Sequence, residues 1–160
     1  METKINGRLA EFPDWGQIVE FQIACAKETE GKELDPKKVE EGVKNILEKM
    51  HSPFMIGNYF VLESEEISGK KIIACFLVLT QFSDWNNLLY FYIESVYIIQ
   101  EFRGSGLFPQ MLSLAKNFID MTGMDSEIRL MVHKNNTRMQ HALGKLNCIE
   151  SPYITFVKQM

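Results

Sequence analysis

The residues best suited to chemistry lie between positions 92 and 120, where a strand pattern, a glycine-rich turn and a helix pattern follow one another. The turn reads Arg103-Gly104-Ser105-Gly106, and glycine permits backbone angles that let a ligand approach the main chain closely. Because a helix begins with unpaired N–H groups and the positive end of its dipole, a phosphate or pyrophosphate is the expected ligand. The donors available to it are the backbone amides of Gly104, Ser105, Gly106, Leu107 and Phe108, since Pro109 has no N–H.

Neither common nucleotide motif fits this turn. No Gly-Lys-Ser/Thr follows it, which excludes a P-loop, and Glu101-Phe102-Arg103 stands where a dinucleotide fingerprint has its first glycine. A plain turn that binds nothing is the alternative interpretation.

Glu94 is the second residue of interest, because it is a charge in an otherwise apolar strand pattern. A buried carboxylate in a cleft is suited to act as a general base. The alternative is an ordinary strand residue that faces solvent.

The elements that must position these residues follow from the spacing of apolar side chains. Near the N-terminus the pattern predicts a strand over 5–12, a helix from the capping pattern at 14–17 to about 29–31, and a second helix that begins at Asp35-Pro36. The second helix should bury a stripe formed by Val39, Val43, Ile46, Leu47 and Met50.

From residue 57 the period changes to two, which predicts an antiparallel meander with strands at 59–63, 72–82 and 88–99 and a turn at 68–70. A helix over 104–121 then crosses to a strand over 128–133, which should lie parallel to the preceding strand. A helix from Asn136 to about 146 and a closing strand over 153–158 complete the pattern. The expected fold is a single α/β (α+β) domain over residues 1–160, with a mostly antiparallel mixed sheet of about six to seven strands and about four helices.

Composition excludes several classes of function. The net charge of −4 gives no basic field for nucleic acid and slightly favours a cationic or neutral substrate. The longest apolar run, residues 72–80, is too short to span a membrane, and the first ten residues contain no apolar signal region. Three separated cysteines among apolar residues suit buried thiols in a reducing cytoplasm rather than disulfides or a metal site.

The order of elements, together with Glu94-Ser95-Val96-Tyr97-Ile98 followed by Glu101-Phe102-Arg103-Gly104-Ser105-Gly106, resembles the GNAT superfamily of acyl-CoA-dependent N-acyltransferases. Its acetyl-CoA motif reads Gln/Arg-x-x-Gly-x-Gly/Ala. Small bacterial-type members are similar, and the strand around Glu94 is similar in layout to that of the spermidine/spermine acetyltransferases, which also have a glutamate there.

The resemblance implies a splayed gap between two parallel strands that receives the pantetheine arm of acetyl-CoA. Backbone groups of Val96, Tyr97 and Ile98 would pair with this arm, Asn136 would lie near it, and an N–H near Ile98 would stabilise the oxyanion. Arg103 and the turn at 104–108 would hold the pyrophosphate. No metal is required.

Two positions depart from the family pattern. Glu101 stands where the motif has Gln or Arg, and a carboxylate there repels pyrophosphate unless it turns away or pairs with Arg103. Leu143 stands where many members carry a tyrosine that protonates the leaving thiolate. Candidates for a replacement acid are Tyr97, His133, His141 and Tyr153. His133 ranks first because it should end a strand that faces the site, where histidine suits acid–base work near neutral pH.

The expected function is transfer of an acetyl group from acetyl-CoA to the amine of a small molecule, by direct attack in a ternary complex. Glu94 and His133 are the catalytic candidates. The missing tyrosine favours an alternative, a catalytically weak acyl-CoA-binding module. A ligand-free protein-interaction domain is a third hypothesis, and a homodimer is implied by resemblance only.

Overall fold

The computed structural model describes residues 4–48, 57–66 and 69–159. Met50 and the start of the turn expected at 68–70 lie outside the described residues. Within them, a five-stranded sheet has the order β1-β2-β3-β4-β5. The strands are β1 (Ile5–Leu9), β2 (Asn58–Glu66), β3 (Gly69–Ser83), β4 (Leu88–Ile98) and β5 (Ser126–Leu130). The helices are α1 (Trp15–Glu30), α2 (Pro36–Glu48), α3 (Leu107–Asp120) and α4 (Thr137–Lys145).

The two faces of the sheet are covered by different helices, because successive strand residues point to opposite sides. Val61, Cys75 and Leu77 pack with apolar residues of α1 and α2 in one buried cluster. Phe60 and Phe76, which alternate with them, pack with α3 in a second cluster. The resulting α/β architecture, with β5 parallel to β4 across the α3 crossover, confirms the predicted fold class.

The predicted strand count of six to seven was too high for the described residues, which contain five. No strand forms over 153–158, although Tyr153-Ile154-Thr155-Phe156-Val157 has a typical strand composition. The strand predicted over 128–133 is also shifted, since β5 ends at Leu130. Composition identifies a segment that can form a strand, but pairing requires a partner in reach, and no described strand pairs with these residues.

The N-terminal strand is fixed by an ion cluster. Arg8 Nη1 donates to Asp14 Oδ2 at 2.7 Å, and Arg8 Nη2 donates to Glu63 Oε1 at 2.5 Å. Asp14 Oδ2 also accepts from the backbone N–H of Glu11 at 2.7 Å. The side chain of Asp14 therefore binds Arg8 and stabilises the short 3-10 turn (Phe12–Asp14). It makes no capping hydrogen bond to α1, so the capping box predicted for that helix does not form.

In the described part of the chain, no helix combines the length and apolar character needed to cross a membrane.

Candidate active site

The site begins where the two parallel strands separate. β4 and β5 pair from Leu89 opposite Ser126 to Ile93 opposite Leu130. β5 ends there, whereas β4 continues to Ile98, so the last five residues of β4 have no β5 partner. A gap therefore lies beside β4 from Glu94 onward.

A bulge in β4 coincides with the start of this gap. Leu77 of β3 pairs with Glu94 and Cys75 pairs with Tyr97, so Ser95 and Val96 together lie opposite Phe76. Ser95 has a φ of 53°, in the left-handed region that non-glycine residues rarely adopt. Because an extra residue bends its strand and increases the local twist, the bulge turns β4 away from the direction of β5.

A cavity of about 330 Å³ lies in this gap between two walls. We call α1 together with residues 93–96 of β4 the first wall, and residues 130–139 the second wall. The first wall contributes Gln22, Cys25, Thr29, Glu30 and Glu94, among others, and Leu34 also contacts the cavity. The second wall contributes Leu130, Met131, Val132, His133, Asn136 and Met139.

The turn after β4 has the backbone that its glycines predict. Gly104 has a φ of 83° and Gly106 a φ of 81°, and Gly106 is the N-cap of α3. Ser105 Oγ donates to the carbonyl of Phe102 at 2.6 Å, which closes the turn. Within the described residues, the N–H groups of residues 104–108 have no protein acceptor. These donors are therefore free to hold an anion at the start of α3.

Arg103 directs its side chain toward α1. Its Nε donates to the carbonyl of Ile98 at 2.8 Å, and its Nη2 lies 2.6 Å from Glu28 Oε2. The hydroxyl of Tyr97 donates to the other oxygen of Glu28 at 3.0 Å, and the guanidinium lies 5.3 Å from the centre of the Tyr97 ring. Arg103 therefore pairs with Glu28 rather than Glu101, and the three side chains connect α1 to the end of β4.

Glu94 and His133 lie on opposite walls of the cavity, and both are half-buried. His133 is in the loop after β5, three residues beyond the end of the strand. Its Nδ1 accepts from the backbone N–H of Asn135 at 3.2 Å. This bond assigns the ring proton of neutral His133 to Nε2, which is then the nitrogen able to donate.

Asn136 also faces the cavity and begins α4. Its Oδ1 accepts from the backbone N–H of Met139 at 3.1 Å, so the predicted helix cap is confirmed. The cap uses only the carbonyl end of the amide, which leaves Nδ2 as a donor for a ligand.

The other acid candidates are placed elsewhere. His141 and Tyr153 are exposed and do not line the cavity, and the hydroxyl of Tyr97 is held by Glu28. Burial, followed by the Glu28 contact, raises the pKa of Tyr97, which keeps its hydroxyl protonated. Leu143 is half-buried and likewise outside the lining. Of the four candidates, only His133 lines the cavity.

Cys25 is a lining residue that the sequence interpretation missed, since it was assigned to the core. Burial raises its pKa, and its Sγ lies 3.6 Å from the carbonyl of Val96, to which the thiol donates. The spacing of Gln22, Cys25, Ala26 and Thr29 along one face of α1 was the available signal. Cys75 is buried as predicted, whereas Cys148 is exposed.

Glu30 adds negative charge to the first wall. Its carboxylate pairs with Lys32, and this hydrogen bond, opposed by a smaller burial effect, lowers the pKa of Glu30 below its ordinary value. A protonated His133 contributes in the same direction. The charge on Glu30 is therefore retained throughout the neutral range. Among the described residues, no group of three or more His, Cys, Asp or Glu side chains is arranged to hold a metal ion.

Comparison with known proteins assigns the family. No family model matches the sequence, and no curated protein matches it. A solved structure described as a possible acetyltransferase from Clostridium difficile 630 is 31% identical, with 98% of this chain and 97% of that chain covered and a TM-score of 0.82.

Two further structures share the fold at lower identity. A predicted acetyltransferase with acetyl-CoA from Clostridium acetobutylicum is 18% identical, with 97% and 96% of the two chains covered and a TM-score of 0.72. A GNAT family acetyltransferase from Staphylococcus aureus subsp. aureus is 19% identical, with 98% of each chain covered and a TM-score of 0.66. The fold is the one that these acetyltransferase structures share, and the 31% identity over nearly the whole of both chains extends the likeness to the sequence. The chain belongs to the GNAT family of acetyltransferases.

Proposed function

We propose that this protein transfers the acetyl group of acetyl-CoA to the amine of a small molecule, by direct attack while both substrates are bound. The observation that carries the proposal is the gap beside β4. Free backbone donors lie in the turn that follows β4, and Glu94 and His133 lie on facing walls of the cavity. Transfer needs such an arrangement, because the amine must lose a proton and the thiolate must gain one.

Acetyl-CoA binding is assigned to backbone groups and a few side chains. The N–H groups of residues 104–108 would hold the pyrophosphate at the start of α3. Val96, Tyr97 and Ile98 would present backbone groups to the pantetheine arm in the gap, with Asn136 Nδ2 as a further donor. A backbone N–H near Ile98 would stabilise the oxyanion that forms on the thioester carbonyl. Arg103, whose donors engage Ile98 and Glu28, would act by positioning this turn.

Glu94 is assigned as the base that takes the proton from the attacking amine. As the new N–C bond forms and the C–S bond breaks, the imidazolium form of His133 would give a proton from Nε2 to the sulfur and become the neutral ring. The Nδ1 contact with Asn135 fits the neutral ring that remains after this transfer, because it pairs the unprotonated Nδ1 with a backbone donor.

Direct transfer is preferred to an acyl-enzyme because the thiol nearest the site is not activated. Burial raises the pKa of Cys25, and only the thiolate is a strong nucleophile. Replacement of Cys25 by Ser should therefore leave turnover largely intact.

The acceptor is assigned as a cationic amine. Glu30 keeps its charge while paired with Lys32, and Glu94 adds a second carboxylate, so the cavity has more carboxylates than this one cation balances. These groups attract an ammonium ion and disfavour an acidic acceptor.

Thiol release from acetyl-CoA should be measured across amines, polyamines, amino acids and aminoglycosides. At least one cationic amine should support turnover in the parent protein, and Glu30→Gln should raise the KM of that amine with kcat little changed.

A second candidate function rests on Leu143, which cannot supply a proton. If CoA binds but no amine supports turnover in the parent or in Leu143→Tyr, the protein is an acyl-CoA-binding module and the enzymatic proposal is wrong.

A further inference from the structure

The face of the sheet that carries Glu94 continues past the cavity into a group of charged and aromatic side chains. Tyr90 of β4 pairs with Glu127 of β5, and Tyr92 pairs with Arg129, so all four lie on one face. Glu94 is the next residue of β4 on that face. We call Tyr90, Tyr92, Glu127 and Arg129 the Arg129 cluster. None of its members is buried, so the cluster is an accessible extension of the cavity along β4.

The guanidinium of Arg129 is held in one orientation. Its Cζ lies 3.4 Å from the centre of the Tyr90 ring, so it is stacked on that ring. Its Nε donates to Glu127 Oε1 at 2.7 Å, and its Nη1 donates to the hydroxyl of Tyr92 at 3.4 Å. Glu127 lies opposite Tyr90, whereas Tyr92 is the cluster residue of β4 nearer to the cavity. Nη1 therefore faces the cavity end of the cluster.

One edge of this guanidinium is available to a ligand. Within the described residues, Arg129 has a single carboxylate partner, Glu127, and that contact uses Nε. The edge formed by Nη1 and Nη2 is the fork that binds a carboxylate through two parallel hydrogen bonds. The hydroxyl of Tyr92 accepts from Nη1 and keeps its own proton to donate. Because Glu127 already balances the cation, a carboxylate with its single charge fits this edge better than a phosphate dianion.

Glu127 adds the opposite charge beside this edge. Its Oε1 accepts from Arg129, which leaves Oε2 for a cation, and its side chain is 53% exposed. A guanidinium next to a carboxylate is complementary to the α-carboxylate and α-ammonium of a free amino acid, which are likewise adjacent and opposite in charge. A diamine or a polyamine offers nothing to Arg129.

The spacing along β4 sets the length of the ligand. Two residues of a strand advance it by about 7 Å, so Arg129, beside Tyr92, lies one such step from Glu94. A chain of about four methylenes covers a step of that order. An amino-acid head group on the Arg129 cluster therefore brings the amine of a long basic side chain to the carboxylate of Glu94.

We propose that the acceptor is a free basic amino acid of the lysine type. Its α-carboxylate binds Arg129, its α-ammonium binds Glu127 and its side-chain amine reaches Glu94. That amine gives a proton to Glu94 and forms the N–C bond, while the C–S bond breaks and CoA leaves as the thiol with the proton from His133. Arg129 and Glu127 bind and orient the acceptor. The inference rests on the proposed function, because it names the acceptor of the same site.

The test compares L-lysine with two analogues of equal chain length in the thiol-release assay. Cadaverine lacks the carboxylate, and ε-aminocaproate lacks the α-ammonium. The parent should have a kcat/KM for lysine about 10-fold or more above that for cadaverine, because hydrogen bonds between charged groups are the strong ones. The value for ε-aminocaproate should lie between the two.

Arg129→Gln should raise the KM of lysine about 10-fold or more with little change in kcat, and should remove the preference over cadaverine. Glu127→Gln should raise the KM of lysine more than that of ε-aminocaproate. Lys116→Gln is the matched control, since it also removes the cation of an ion pair, with Asp120 on α3, and should leave all three acceptors unchanged. An unchanged melting shift with CoA shows that each variant is folded.

Two results would overturn the inference while acetyl transfer stands. They are an equal kcat/KM for lysine and cadaverine in the parent, and an equal loss on all three acceptors in Arg129→Gln. If no acceptor supports turnover, the proposed function fails instead, and calorimetric titration of lysine into the CoA-bound protein decides. Binding that Arg129→Gln weakens about 10-fold supports the amino-acid site, and absence of lysine binding contradicts it.

Discussion

The two walls of the cavity differ in how firmly the fold holds them. In the first wall, α1 buries Ile18 and Phe21 against the sheet, and Ile93 of β4 is also buried. In the second wall, residues 130–139, no residue is buried. The first wall therefore shares the stability of the core, whereas the second depends on local caps such as the Asn136 bond to Met139.

This difference separates two tasks of the proposed reaction. The free amides of the turn and the base candidate Glu94 belong to the part of the chain that the core fixes. The acid candidate His133 belongs to the loosely held wall. Substitutions near the first wall should act only through the contacts that the replaced side chain makes with the substrates. Substitutions in the second wall should also shift the position of the wall itself.

The largest effect is expected from Gly106→Asp in the turn that follows the first wall. Gly106 has a φ of 81°, which an aspartate adopts with strain, and the new carboxylate would repel pyrophosphate. CoA should raise the melting temperature of the parent by mass action, and this shift should vanish in the variant. Ser105→Ala is the control, since it keeps the backbone donors and should retain most of the shift. If CoA raises the melting temperature of Gly106→Asp as much as that of the parent, this turn does not bind the pyrophosphate.

Glu94→Gln should have the next largest effect. Loss of a general base costs about 10²–10⁴-fold in rate, so kcat with a responsive amine should fall by that order at neutral pH. The CoA melting shift should stay unchanged because Glu94 lies away from the turn. If only the acceptor KM rises, Glu94 binds the amine instead, and unchanged kinetics would return it to an ordinary strand residue.

His133→Ala should lower kcat by a smaller factor, about 10–100-fold, because a CoA thiolate can leave without a proton at some cost. Leu143→Tyr in that variant should recover part of the rate if the phenol reaches the sulfur. His141→Ala, an exposed histidine on the adjacent helix, is the matched control and should be silent. Equal losses in both histidine variants would show that His133 has no special role.

The contact between Glu28 and Arg103 should matter only modestly for stability. Partly exposed ion pairs are worth about 0.2–1 kcal/mol, so a double-mutant cycle of Glu28→Gln and Arg103→Gln should give a coupling in that range. The same cycle on the Kd of CoA tests positioning, because a link between α1 and the turn requires coupling in binding as well. Additive effects on both quantities would mean that α1 and the turn are positioned independently of this contact.

The smallest expected effect is a pH dependence of the free energy of unfolding, which arises at Asp14, away from both walls. Burial raises the pKa of Asp14, but the hydrogen bond from Arg8 and the backbone contact with Glu11 outweigh it and lower the pKa below its ordinary value. A lowered pKa in the folded state gives stability that is present above the unfolded value and is lost as pH falls through the folded value. Urea unfolding between pH 6 and pH 2.5 should show this loss in the parent and a smaller dependence in Asp14→Asn.

Much of the site could be predicted because it depends on local sequence. Gly104 and Gly106 identify a turn with positive φ angles, and the Asn136 cap is a property of one helix end. The parallel placement of β5 follows from its connection to β4 through a helical crossover. These features need no knowledge of distant partners.

The features that could not be predicted depend on pairing between distant segments. Nothing in Glu94-Ser95-Val96 indicates that two residues there will face one residue of β3. The contact that turns Arg103 toward Glu28 joins residues 75 positions apart. Residues 153–157 have a strand composition, but composition does not say whether a partner strand is in reach.

The bulge at Ser95 has a consequence for how this site can change during evolution. Because the gap opens where β5 ends and where one additional residue bends β4, its shape depends on the lengths of two strands more than on the identity of any one lining side chain. Point substitutions around the cavity can alter which acceptor fits while the gap persists. Deletion of the codon for Ser95 would leave one residue opposite Phe76, restore regular pairing with β3 and remove the bend, while Tyr97 would keep its place opposite Cys75. The site should therefore tolerate substitutions but be sensitive to the loss of a residue from β4.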